Sequence, residues 1–260
     1  MSVEHHGRGG TDVTVPLSTP VGHRGYADVR IRAARGRPRQ PGEEAPHIAL
    51  SASERAELGR LAQIIDFRTA GSLIFPQGGD ANFVYLLTAG LVRICHSLHN
   101  GERQVVAFHW PGDLFGLTEE AKYVNSAETV TPARVYRFQA AKLESFLLKN
   151  PKIQDRFLIK AIHDLRHAQR QIIVMGRFDI PRRLGIFLID CSAHETYFDQ
   201  STRVLTVPMN RYDIADYLGT SAETVTRAFT RLERAGLLRR VTARAIALKP
   251  EKLKTFVNFE

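Results

Sequence analysis

The chain has 260 residues, 43% of them apolar, enough to bury a sizeable core in one large domain or two ordinary ones. No apolar run approaches the ~18–20 residues of a membrane span, and the first ten residues hold no signal-type stretch, which argues against membrane insertion and secretion and for a cytoplasmic protein. Thirty-six Lys and Arg against 27 Asp and Glu leave +9, an excess that points to an anionic partner, nucleic acid before membrane.

The charge is uneven. Residues 47–136 carry 7 basic and 9 acidic side chains, whereas residues 137–184 carry 11 and 4. Residues 1–46 hold few large apolar groups, place five arginines between Arg30 and Arg39, and end in a Pro/Gly/Glu stretch. That composition is expected to form a disordered basic arm. Ser51 or Ser53 then opens a helix carrying Leu58, Leu61, Ile64 and Ile65, with Ser51 and Glu54 spaced as a capping box. From Gly71 to Phe138 short apolar runs alternate with glycine turns: 72–75, 83–87, 91–95, 104–108 and 134–138, punctuated by Gly78, Gly90, Asn100-Gly101 and Pro111-Gly112-Asp113. Strands at this spacing predict an antiparallel barrel or jelly roll. The two cysteines, Cys95 and Cys191, form no CxxC, so neither a disulfide framework nor a zinc knuckle is written in the chain.

Asn150-Pro151 reads as N-cap and first residue of a long helix. Leu158, Ala161, Leu165, Ala168, Ile172 and Met175 recur at alternating steps of three and four, an a/d seam suited to a second copy of the helix. Lys152, Arg156, Lys160, Arg166 and Arg170 are expected on its other faces. Packing on its own barrel, with Ile159, Ile162 and Ile173 involved, is the plainer alternative. Asp179 caps a further helix with Pro181 in its first turn. Two short helices follow, Asn210–Leu218 and Ser221–Ala235, joined by Gly219-Thr220, and residues 237–241 and 244–248 then alternate as a small hairpin.

This helix pair carries the functional expectation. Ile214, Ala215, Leu218, Val225 and Phe229 form a small shared core, Gly219 supplies a positive φ at the turn, and Ser221 caps the second helix. Ser221, Ala222, Glu223, Thr226 and Arg227 are left on the outer face, the end a helix-turn-helix inserts into the major groove. Glu accepts from a cytosine amino group and Arg forks onto guanine. Thr224 belongs to the same string, and Arg211 is placed to clamp a phosphate.

With the glycine skeleton of the barrel, Pro111-Gly112-Asp113-Leu114-Phe115-Gly116, the long helix and Tyr217-Leu218-Gly219 followed by Glu223-Thr224-Val225-Thr226-Arg227, the sequence resembles the CRP/FNR superfamily of bacterial transcription regulators over residues 50–250. Glu223 and Arg227 match the E-x-x-S-R of the FNR and FixK branch, with Thr226 in place of Ser, and Met175-Gly176-Arg177 is similar to the FixK junction. The resemblance implies an α+β chain: a disordered basic arm (1–46), a cyclic-nucleotide-binding-like β-barrel or jelly roll (47–149), a dimerisation helix (150–176) and a winged helix-turn-helix (177–260). It implies a homodimeric activator reading a palindromic double-stranded operator similar to TTGAT-N4-ATCAA, with RNA polymerase as a further partner and no membrane.

The sensor motifs depart from the family. Cyclic-AMP-binding members hold the phosphate with Gly-Glu and a later Arg-Ser or Arg-Thr; here Gly112-Asp113 and Val124-Asn125-Ser126-Ala127 offer no arginine. Losing that bidentate partner removes about 1.5–3 kcal/mol per charged hydrogen bond. The arm lacks the cysteines of an iron–sulfur sensor. The expectation is a regulator without cofactor or metal. His163 and His167 at i, i+4 lack a third ligand, His109 is a candidate haem ligand on sequence alone, and the acidic neighbours of Cys191 raise rather than lower a thiol pKa. A ligand-binding barrel and a metal-dependent cupin-type enzyme using His96, His99 and His109 are the competing classes. Neither accounts for the C-terminal helices.

Overall fold

The computed structural model describes residues 31–32, 47–48 and 51–258. Most of the expected disordered arm therefore lies outside the described residues. Its residues Ile31–Arg32 instead form β1, which pairs antiparallel with β2 (His47–Ile48) just beyond the arm, a pairing with no periodic signal in the sequence.

Helix α1 (Ala52–Leu61) begins at Ser51, whose hydroxyl accepts from the Glu54 amide while the Glu54 carboxylate accepts from the Ser51 amide. The helix stops short of Ile64 and Ile65, which were expected in it. They lie in β3 (Ala62–Phe67), where Val135 and Tyr136 pair with Ile65 and Ile64. Pairing with a neighbouring strand outweighs local helical spacing here.

The barrel continues through β4 (Leu73–Phe75), β5 (Phe83–Ala89), β6 (Val92–Ser97), β7 (Arg103–His109), β8 (Leu114–Phe115), β9 (Ser126–Thr129) and β10 (Ala133–Gln139). Two antiparallel sheets result, in the orders β3-β10-β5-β8 and β4-β9-β6-β7. Gly90 turns β5 into β6 at φ 88°, where an added Cβ would stand 2.2 Å from the Pro132 carbonyl. No other residue fits that approach. Phe75, Tyr85, Phe115 and Tyr123 stack inside the barrel, the Phe75 and Tyr123 rings 3.8 Å apart.

Helix α2 (Ala140–Lys149), not foreseen as a separate helix, buries Leu143 with Phe138 and Ile153 against the first sheet. Asn150 ends it and stands at the N-cap position of the next helix as expected, but its side chain donates from Nδ2 to the Phe146 carbonyl and makes no capping bond. Helix α3 (Pro151–Arg177) starts on Pro151, which needs no amide partner there. Lys160 departs from its expected outer position. It is buried, with Nζ 3.5 Å from the Asp113 carboxylate and bonded to Asp164, because the buried Asp113 of the Pro-Gly-Asp turn needs a cation. Arg156 and Arg170 likewise turn inward to Glu54 and Asp190.

On the opposite side of α3, Leu158, Ala161, Leu165, Ala168 and Ile172 are exposed, joined by Ile162 and Ile173, which therefore do not pack on the barrel. Met175 leaves this row: its Cε sits beneath Gly219.

The C-terminal part comprises α4 (Ile180–Cys191), β11 (Phe198–Asp199), β12 (Val204–Thr206), α5 (Arg211–Leu218), α6 (Ala222–Arg234), β13 (Leu238–Arg240), β14 (Ala245–Leu248) and α7 (Pro250–Val257). Asp179 caps α4 as expected, accepting from the Arg182 amide. The hairpin β13–β14 joins β12 and β11 in one sheet, while α7 lies on α4 with Val257 and Leu253 against Gly185. Leu91 and Trp110 of the barrel belong to the same core cluster as these helices.

Candidate nucleic-acid interface

The site is built on the turn between α5 and α6. Asn210 opens α5 by accepting from the Asp213 amide at 2.8 Å. Gly219 ends it in the left-handed region (φ 66°, ψ 48°), and an added Cβ would come within 2.5 Å of Met175 Cε. Ser221 Oγ accepts from the Thr224 amide at 3.2 Å and starts α6. Ile214, Ala215, Leu218, Val225 and Phe229 are all buried between the two helices.

That core fixes which side of α6 faces out. Ser221, Glu223, Thr226 and Arg227 are exposed, while Ala222 and Thr224 are half-buried. Arg227 donates to Glu223 Oε1 and to Thr224 Oγ1, each at 3.0 Å, with side-chain exposures of 67% for Arg227 and 77% for Glu223. Thr226 donates its hydroxyl to the Ala222 carbonyl. The structure thus brings the six α6-end residues onto the N-cap and first two turns of the helix, presented as a largely polar surface.

Arg211 stands apart at the start of α5. Its guanidinium lies 3.7 Å from the Phe229 ring centroid, and burial together with the neighbouring Arg240 pulls its pKa below the ordinary arginine value. Arg240, in turn, bonds Glu233 and Thr230, tying β13 to α6. Arg239 and Arg244 are exposed on the hairpin and were not singled out from the sequence. The two adjacent arginines at 239–240 were the available signal. Together with Arg211 they flank α6 with cationic groups.

In the barrel, Asp113 accepts from the Trp110 amide and faces Lys160; Asn125 Oδ1 meets His96 Nδ1 at 2.9 Å; Ser126 donates to the Cys95 carbonyl. Asp113, Asn125 and Ser126 are thus each engaged within the protein. Cys95 is buried, its thiol pushed up to about 11 by desolvation, and Cys191 is raised by burial as well. Neither has the lowered pKa of a reactive thiol. The His163 and His167 rings lie 4.5 Å apart, tilted at 60° to each other. Among the described residues no three His, Cys, Asp or Glu side chains converge as a metal set, and no helix is long and apolar enough to cross a membrane.

Residues 182–256 match the Crp-like helix-turn-helix domain, and residues 67–150 match the cyclic nucleotide-binding domain. The chain is 35% identical over 190 residues to the nitrogen fixation regulation protein FixK of Rhizobium meliloti, covering 72% of this chain and 84% of that protein. It is 32% identical over 189 residues to the transcriptional activatory protein AadR of Rhodopseudomonas palustris, covering 73% and 79%. Among solved structures, FixK2 from Bradyrhizobium japonicum superposes with a TM-score of 0.68 at 30% identity, covering 75% of this chain and 96% of that one. These relatives are transcription regulators, not enzymes. The chain belongs to the CRP/FNR family of DNA-binding transcription regulators, on its FixK-like branch.

Proposed function

We propose that the protein is a cytoplasmic homodimeric activator that reads a palindromic operator through α6 and needs no cyclic nucleotide or iron–sulfur cluster to do so. The observation that carries the reading is the capped, exposed N-terminal end of α6, where Glu223 and Arg227 pair with each other on the surface and Arg227 also reaches Thr224 Oγ1. Such a pair is preorganised yet weakly held, since exposed ion pairs contribute about 0–1 kcal/mol. Exchanging it for a cytosine amino group and a guanine edge is therefore favourable. Ser221, Ala222, Thr224 and Thr226 complete the contact surface, and Arg211 takes a phosphate. RNA polymerase is the further partner of an activator.

Dimerisation is supported by the exposed row Leu158, Ala161, Leu165, Ala168 and Ile172 on α3. Leucine and isoleucine left 58–72% exposed at heptad spacing are costly in water and pack well around two alanines in a second copy. Independence from cyclic nucleotide is supported by the barrel interior. Asn125 and Ser126 are already hydrogen-bonded within the protein, the stretch Val124-Asn125-Ser126-Ala127 holds no arginine, and Phe75, Tyr85 and Tyr123 stack on one another in the barrel core. A cyclic phosphate does not fit this set.

In vitro selection of binding sites from a randomised duplex library, using the purified protein without added nucleotide, tests the reading. Two inverted half-sites about one helical turn apart, roughly 34 Å, are expected. Enrichment of an asymmetric single site, or of no sequence, refutes it.

A further inference from the structure

Helix α5 turns its other face to the barrel of its own chain. Arg93 of β6 donates to Asp213 Oδ1 at 2.7 Å and to Glu128 Oε2 of β9 at 2.6 Å. Arg103 of β7 donates to Asp216 Oδ2 through Nε at 3.0 Å and Nη2 at 2.7 Å, and to Asp213 Oδ1 at 3.1 Å. Gln104 adds a bond from Nε2 to the Asp216 backbone carbonyl. The Asp213 side chain is only 2% exposed.

An aromatic contact lies beside these ion pairs. Phe108 of β7 meets Phe187 of α4 and Tyr217 of α5, with centroids at 6.0 and 5.3 Å, and Trp110 stacks on His194 at 3.9 Å. The two contacts have different physical consequences. Apolar burial is non-directional, so aromatic faces alone hold the parts together without fixing their register. Guanidinium forks on carboxylates are directional, and a buried carboxylate tolerates few alternative positions. The docking residues sit on the outside of the barrel, and the docked arrangement leaves Glu223 and Arg227 uncovered.

We propose that Arg93 and Arg103 are positioning residues for DNA binding: through Asp213 and Asp216 they hold α5 in the one orientation that presents α6 to the operator. No ligand inside the barrel is then required to set that orientation. The inference rests on the reading that the unliganded protein binds its operator, and it supplies the physical reason.

The test uses the full chain as Arg103→Glu, Asp216→Arg and the double variant, which has the net charge of the unsubstituted protein. Operator affinity is measured by fluorescence anisotropy without nucleotide. The single tryptophan, Trp110, reports docking directly through its emission. Circular dichroism and sedimentation check fold and assembly. Arg103→Glu is expected to lower affinity tenfold or more and to shift Trp110 emission to the red, with helix content and assembly unchanged. The double variant is expected to return affinity to within threefold and to restore the emission. Unchanged or improved affinity in Arg103→Glu, or a double variant no better than the weaker single, overturns the proposal. If Arg103→Glu does not fold, Arg103→Gln takes its place, with a fivefold loss expected and an unchanged affinity overturning it. Failure of the unsubstituted protein to bind without nucleotide refutes the effector-free reading instead; repeating the comparison at saturating cyclic AMP then decides the positioning role separately.

Discussion

Arg227 and Glu223 hold each other across one turn of α6, and to reach base edges both must release that pair. Because the pair is exposed, releasing it costs little, whereas each correct bidentate base contact is worth about 1–3 kcal/mol of discrimination. Arg227→Ala is expected to weaken operator binding by about 1–3 kcal/mol and to flatten preference at one guanine, as read by binding to operators substituted at each position. Glu223→Ala is expected to act likewise at a neighbouring pair. Arg211→Ala is expected to weaken all sequences alike and to reduce the slope of log affinity against log salt by about one. Uniform loss across operators for all three removes base readout by α6. The placement of these residues on the helix pair is legible from sequence because caps and a left-handed glycine act locally: Asn210, Gly219 and Ser221 fix the start of α5, its end and the start of α6 within twelve residues of chain. The burial of Lys160 is not legible in this way, since its partner Asp113 lies on a distant turn of the barrel.

Among the elements, α3 does two jobs with two faces. Its inner face, through Ile153, Lys160 and Val174, fastens the helix to the rest of the chain. Lys160→Ala takes the buried ammonium away from the Asp113 carboxylate, which keeps His109 Nδ1 3.7 Å away, and is expected to cost up to about 3–5 kcal/mol in chemical denaturation. Arg166→Ala, on the exposed side, is expected to stay within about 0.5 kcal/mol; equal effects contradict the assignment of faces. The outer face is tested by Leu165→Glu, which leaves the single chain folded and places two carboxylates against each other in a dimer. Sedimentation is expected to show a monomer, with operator affinity reduced at least tenfold; a dimer of normal affinity excludes the seam. The heptad row was readable because its spacing is regular over five turns. Met175, at the end of the row, faces Gly219 instead, which periodicity cannot reveal. Strand β3 was misread for a related reason. Ile64 and Ile65 continue the spacing of α1, yet β10 offers them a ladder, and only the tertiary partner decides between the two. Helices α2 and α7 are short, and their apolar positions merge with the strands that precede them.

For the whole molecule, the barrel and the helix-turn-helix share one core cluster that includes Leu91 and Trp110, and the ion pairs of α5 complete the contact. A fold that elsewhere binds nucleotides is here packed with its own aromatic side chains, and fold alone does not decide ligand. The central claim is that this docked arrangement already binds DNA. Anisotropy titration of the purified protein on its selected operator, without and with cyclic AMP, tests it most directly. Tight binding without nucleotide is expected, with less than about a threefold change on adding it, equivalent to roughly 0.6 kcal/mol. A tenfold or larger gain on adding cyclic AMP contradicts the claim.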